Sequence, residues 1–221
     1  MSRISDLRMS GADDHVVDMF CDHLKDQLTL SLDGGTNAFT VTLTSQASRF
    51  VRTIHEFRDN RGSVSGSHRV WDGHEPPPYR LFESQSMVHR VTMLTFAAAM
   101  WNDFMGYFPS LPVLVQLSIV SGPYDSDFCM SDLRTNRRLR CPALRTISLH
   151  KHLRRAEETS VVSRFIAHGV ERKPGPLTVC ITSFQLEGPL ELFAREIRVL
   201  VDGVVVRETE QPPESDSASS V

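Results

Sequence analysis

Residues 84–122 read SQSMVHRVTMLTFAAAMWNDFMGYFPSLPVLVQLSIVSG. Met87, Val91, Leu94, Ala98, Trp101, Met105 and Phe108 recur at spacings of four and three. That spacing puts them on one stripe of a helix of about six turns. Ser84 suits the N-cap, and Gly106 and Pro109 supply the stop. The pattern predicts a long helix over about 84–108, then a buried strand at 111–122 that ends at a Gly122-Pro123 turn.

On the N-terminal side, LTLSLDGGTNAFTVTLTS (28–45) alternates apolar and polar residues about Asp33-Gly34-Gly35. Leu28, Leu30 and Leu32 share one face, as do Phe39, Val41 and Leu43, which is a hairpin signal. In QASRFVRTIHEFRD (46–59), Phe50, Ile54 and Phe57 stand at helical spacing, and VVDMFCDHLKD (16–26) has the pattern of a short amphipathic helix. On the C-terminal side, VVSRFIAHGVERKPGP (161–176) reads equally as strand or short helix. LTVCITSFQLEG (177–188) is strand-like, and EIRVLVDGVVVRE (196–208) is two strands about Asp202-Gly203, the strongest hairpin signal in the chain. The expected fold is α+β: a single domain whose mainly antiparallel β-sheet packs against the 84–108 helix and one or two shorter ones. The expected layout is a flexible N-terminus at 1–15, the domain at 16–208 with an exposed loop at 59–79, and a disordered acidic tail at 209–221. No internal repeat stands out.

The 221 residues, 40% apolar with twelve Phe, are enough for a real core and exclude a wholly disordered chain. Four Cys exclude a disulfide scaffold and suit a reducing compartment. The start of the chain has no apolar run of signal-peptide length, no stretch of eighteen apolar residues occurs, and Ser2 stands where myristoylation needs glycine. Phosphate-loop, dinucleotide, GxSxG and HExxH motifs are absent. Cys21, His23, Cys129, Cys141, His150 and His152 are the metal-ligating candidates, but Cys129 and Cys141 lack the short CxxC spacing of structural zinc. His150 and His152 read best as polar positions beside arginines, and Cys180 as a core thiol. The sequence points to a protein with no catalytic residues, cofactor or metal.

Charge is unevenly spread. Segment 134–155, RTNRRLRCPALRTISLHKHLRR, holds Arg134, Arg137, Arg138, Arg140, Arg145, Lys151, Arg154 and Arg155 and no acid. The rest of the chain has 16 basic against 27 acidic residues. Such a stretch suits an anionic surface: lipid headgroups, RNA or an acidic protein. The bland alternative is a solvated arginine face paired to the chain's own acids.

The loop carries Pro76-Pro77-Pro78-Tyr79. Consecutive prolines pre-set a polyproline II helix, which loses little entropy on docking. A WW domain offers a slot for the prolines and a pocket for Tyr79, so the tetrapeptide suits a WW-domain ubiquitin ligase. The alternative is a stiff lead-in to the 84–108 helix.

With the PPxY motif, the arginine-rich segment, and Ala98–Gly106 leading into Val113–Gly122, the chain resembles a matrix protein of a negative-strand RNA virus of the rhabdovirus type. The resemblance implies a non-enzymatic structural protein of the virion and host cytoplasm, peripheral on the inner face of a membrane. It implies self-association, contact with an anionic membrane surface and a nucleoprotein, and recruitment of a WW-domain ubiquitin ligase for budding. Residues 1–33 are acidic where that family has a lysine-rich arm, so segment 134–155 has to supply the attraction. The rival reading is an RNA-binding regulatory or accessory protein that uses the same arginines on phosphates. The absence of Phe, Tyr and Trp from 134–155 weighs mildly against base stacking.

Overall fold

The computed structural model describes residues 6–10, 26–34, 38–45, 49–55, 85–98, 101, 110–121, 138–151 and 156–209. The expected loop at 59–79 with its Pro76–Tyr79 motif, all but Asp26 of the 16–26 helical pattern, and the tail beyond Thr209 lie outside these residues. The strands are β1 (Asp6–Ser10), β2 (Leu28–Gly34), β3 (Ala38–Thr44), β4 (Arg49–His55), β5 (Val91–Ala97), β6 (Gln116–Ser121), β7 (Leu139–Arg140), β8 (Thr146–Lys151), β9 (Glu157–Glu158), β10 (Val170–Glu171), β11 (Leu177–Thr182), β12 (Leu186–Glu187), β13 (Ile197–Val201) and β14 (Val204–Arg207). A one-turn helix, α1 (Gln85–Val88), precedes β5, and α2 (Thr159–Gly169) lies between β9 and β10.

Ten strands form one sheet in the order β1-β4-β3-β2-β5-β6-β8-β11-β13-β14. Its central six, β2, β5, β6, β8, β11 and β13, run parallel to one another. The sheet is therefore mixed and mostly parallel, where the sequence suggested mainly antiparallel pairing. Parallel neighbours need a long return path, and the chain supplies one between each pair of these strands. Both expected hairpins form at the flanks, β2 with β3 and β13 with β14. In the second, Asp202 (φ 47°) and Gly203 (φ 81°) both take the left-handed conformation that a two-residue type I′ turn requires.

Within the predicted 84–108 helix, residues 85–97 form α1 and the strand β5 instead; Trp101 is helical, and residues 99–100 and 102–108 lie outside the described residues. The reason is a bulge. Leu28 pairs with Val91 and Thr29 with Met93, so Thr92 is an extra residue that shifts the pleat. Val91 and Leu94 then both point inward, three residues apart, and imitate helical spacing inside a strand. The 46–59 pattern likewise yields β4, whose Val51, Thr53 and Ile54 are β-branched and whose seven residues all pair with β3.

One face of the sheet is closed by two rows of apolar side chains that cross it from strand to strand. Leu43, Leu30, Leu94, Leu117, Ile147, Val179 and Val199 form the first, and all are buried. Val41, Leu32, Phe96, Ile119, Leu149 and Ile181 form the second, which ends at the half-buried Val201. From β5 onward each long strand lies beside the next long one in sequence, so the chain winds as a solenoid. The helix α2 turns Val162, Phe165 and Ile166 to the interior. Trp101 joins the layers, edge-on to Phe96 at 5.7 Å and to Phe165 at 5.0 Å between ring centroids.

Ile147 sits in the middle of the first row. Ile147→Ala should cost about 2–5 kcal/mol through lost burial and the cavity left behind. Ser148→Ala, one residue on and on the other face, should cost less than about 0.5 kcal/mol. Urea midpoints of the two variants check the difference.

Candidate interaction surface

Two coils of the solenoid repeat each other at thirty residues. Leu111-Pro112-Val113-Leu114-Val115-Gln116-Leu117-Ser118-Ile119-Val120 matches Cys141-Pro142-Ala143-Leu144-Arg145-Thr146-Ile147-Ser148-Leu149-His150. Burial is the same, position for position, through both tens, and so is the secondary structure. The backbone bonds repeat too. Leu111 N–H donates to Arg140 O and Cys141 N–H to Glu171 O, both at 2.8 Å. Leu114 N–H closes a turn on Leu111 O, as Leu144 N–H does on Cys141 O. The proline and the first leucine shape this turn, and the alternation that follows aims one face inward. The repeated Pro-x-Leu-x-x-apolar-Ser-apolar signal was present in the sequence, and the helical reading of 84–108 obscured it.

The inward rows leave an outward face. Its central row is Thr42, Ser31, Thr95, Ser118, Ser148 and Cys180, one from each successive strand. The row beside it is Thr44, Thr29, Met93, Gln116, Thr146 and Thr178. None of the twelve is buried. Six strands about 4.8 Å apart make a face about 24 Å across from first to last. The two rows hold nine hydroxyls, one amide, one thioether and one thiol, and no charge. Neutral hydroxyls on a rigid sheet both donate and accept hydrogen bonds and cost little to desolvate beside charged groups.

The cationic segment does not form one sheet of charge among the described residues. Arg138 and Arg145 are exposed. Arg140 is exposed as well and reaches Glu171 at 3.2 Å. Lys151 is a correction to the surface set: it is buried at the end of β8, hydrogen-bonded and ion-paired to the equally buried Glu157. Its ammonium also lies 5.8 Å from the centroid of the Phe184 ring. That pair ties the sheet to the strand leading into α2 and leaves Lys151 unable to meet an external anion. Arg134, Arg137, Arg154, Arg155, His152 and Pro76, Pro77, Pro78 and Tyr79 lie outside the described residues. His150 stands half-buried next to Val120 and Thr182. No group of three or more metal-ligating side chains occurs among the described residues. No described helix is long and apolar enough to cross a membrane.

Cys141 opens the second coil and is fully buried, with its Sγ donating to Leu139 O at 3.4 Å. Burial pushes its thiol from 9.0 up to about 12; Arg172 pulls the other way, and Glu171 adds to the rise. Cys180, expected in the core, is instead half-exposed on the outward face. Comparison with family models, with curated proteins and with solved structures returns no match.

The Cys141 shift carries a sign. The folded chain holds the proton more tightly than the unfolded one, so this stabilisation is complete below pH 9 and is lost as pH rises toward about 12. In that window its loss approaches about 1.4 kcal/mol per pH unit. Cys141→Val should therefore show a shallower fall in urea midpoint between pH 9 and 10.5 than the parent chain. In the native state, iodoacetamide should modify Cys180 and spare Cys141, as read by peptide mass spectrometry.

Proposed function

We propose that the chain is a non-enzymatic recognition scaffold that binds a partner protein on the outward face of its parallel sheet. The observation that carries this is the pair of unburied, uncharged rows set across six strands by a solenoid repeat. Solenoids stack units of this kind to present extended binding surfaces, and one strand per coil of about thirty residues is close to the leucine-rich type. The rows are held rigid from behind by the buried aliphatic rows, so little conformational entropy is lost on binding.

The experiment is photo-crosslinking from the full chain in its native cells. A photoreactive side chain at Ser118 or Ser148 should trap a discrete protein, and one at the exposed Arg164 of α2 should not. Ser118→Arg with Ser148→Arg buries two unpaired cations in such an interface and should cut the yield at least about tenfold with no change in Tm. Equal trapping from both sides of the sheet contradicts the proposal.

A second reading rests on Pro76-Pro77-Pro78-Tyr79. In it the chain is a matrix-like protein that engages a WW-domain ubiquitin ligase through this motif. The basic segment then meets an anionic membrane surface and a nucleoprotein, or RNA in the accessory-protein form. Among the described cations of that segment, Arg138 and Arg145 are the ones exposed with no carboxylate partner given by the structure, so lipid attraction would rest on these two together with four arginines outside the described residues, Arg134, Arg137, Arg154 and Arg155. Under this reading Tyr79→Ala abolishes binding of an isolated WW domain in fluorescence polarisation. Neutralising those four arginines releases the chain from phosphatidylserine vesicles in a flotation assay. A chain that never floats at low salt removes the membrane role.

A further inference from the structure

The large sheet ends at β14, and among the described residues no strand pairs with its far side. This edge is apolar. Val204, Val205 and Val206 are 66%, 36% and 42% exposed, and three β-branched residues in a row favour extended backbone. A bare edge of this kind is a template for another strand.

The two-residue turn at Asp202-Gly203 sets which backbone groups face out. Val201 and Val204 flank it and bond to each other, so the next pair, Leu200 with Val205, is the non-hydrogen-bonded one. The N–H and C=O of Val205 therefore point away from β13, to the open side. Its side chain lies on the outward face, because Leu200 pairs on its other side with Cys180 of the central hydroxyl row. That row thus runs on through Leu200 to Val205, and it turns aliphatic where unpaired backbone becomes available.

The charges around the edge nearly cancel. Glu208 pairs with Arg198 at 3.1 Å. Asp202 accepts the Ser183 N–H and Arg207 donates to the Leu190 carbonyl, so one anion and one cation remain. On the inward side, Val206, Arg207 and Glu208 border a groove whose lining holds five cations and four carboxylates, Glu191 among them. Neither side draws a strongly charged partner. A second copy fits poorly: a two-fold axis at Val205 would set Asp202 against Glu208 twice, like charges directly opposite. Four paired residues, about 13 Å of strand, also bury less than the roughly 1,000 Å² of a stable interface.

We infer that the partner protein bound on the outward face adds an extended, uncharged, β-branched segment to β14 as a further strand. This rests on the recognition reading above and names its mode. The main chain of the segment bonds to Val205, and one of its apolar side chains lies over Val205 and Leu200. The edge supplies the directional bonds, and the hydroxyl face supplies the area.

Photo-crosslinking from the full chain in its native cells tests it, now from Val204. A photoreactive side chain there should trap the same protein as one at Ser118, identified by peptide mass spectrometry. Val205→Pro removes the outward N–H and spares the β13 ladder, so Tm should stay within about 4 °C. Trapping from Val204 should fall at least about tenfold in that variant, because a partner carbonyl is left without its bond. Val205→Lys keeps the backbone intact but puts a charge on the edge, and should cut trapping as much. Val205→Thr keeps the N–H and the branched side chain, and should stay within about twofold of the parent. Trapping from Ser118 but not from Val204, or undiminished trapping in a folded Val205→Pro or Val205→Lys chain, overturns the strand addition and leaves the recognition reading standing. A link from Val204 to the chain itself, within one copy or between two, overturns it as well. Trapping from neither position removes both.

Discussion

Two lines of apolar side chains running at right angles to the strands carry this structure. Each residue in them touches its counterparts on the strands either side, so no strand buries its inward face alone. Leu117 and Ile119 stand between Leu94 and Phe96 on one side and Ile147 and Leu149 on the other, and all six are buried. Full burial of each such side chain contributes roughly 1.5–3 kcal/mol, and the contributions arise cooperatively as coils stack. The outward hydroxyl rows follow from the same alternation: whatever the pleat does not send to the core it sends to the other face.

The return paths on the inward side have their own ties. Phe96, Trp101 and Phe165 form a chain of edge-on rings from strand to helix. Lys151 with Glu157 and Phe184 fixes where the sheet hands the chain to α2. A buried ion pair gives little net stability over an apolar pair of similar volume, but losing one partner leaves an uncompensated charge. Here the pair joins the end of β8 to β9.

Much of the strand content was legible. The hairpins read at 28–45 and 196–208 form, the second about Asp202-Gly203, while the strand-like 177–188 divides into β11 (Leu177–Thr182) and the two-residue β12 (Leu186–Glu187) of another sheet. The 91–97 part of the 84–108 stretch was misread because a single bulged residue, Thr92, makes a strand place Val91 and Leu94 on one face. Thr92, Thr95 and Phe96 are poor choices for a helix interior and good ones for a strand, so propensity held a warning that periodicity overrode. The basic segment was visible as composition. Its division into exposed Arg138 and Arg145, paired Arg140 and buried Lys151 was not, because sequence shows how many cations lie close along the chain and not which way each one faces.

Local sequence determined which residues alternate, where the β13–β14 hairpin turns, and that an apolar set large enough for a core exists. Those are nearest-neighbour properties, fixed by pleat and turn sterics within a few residues. Only the tertiary structure decided that the strands pair in parallel, in chain order, and that serines thirty residues apart stand side by side on an open face. Pairing direction depends on return paths and on burial shared between distant coils, and no window of a dozen residues contains either.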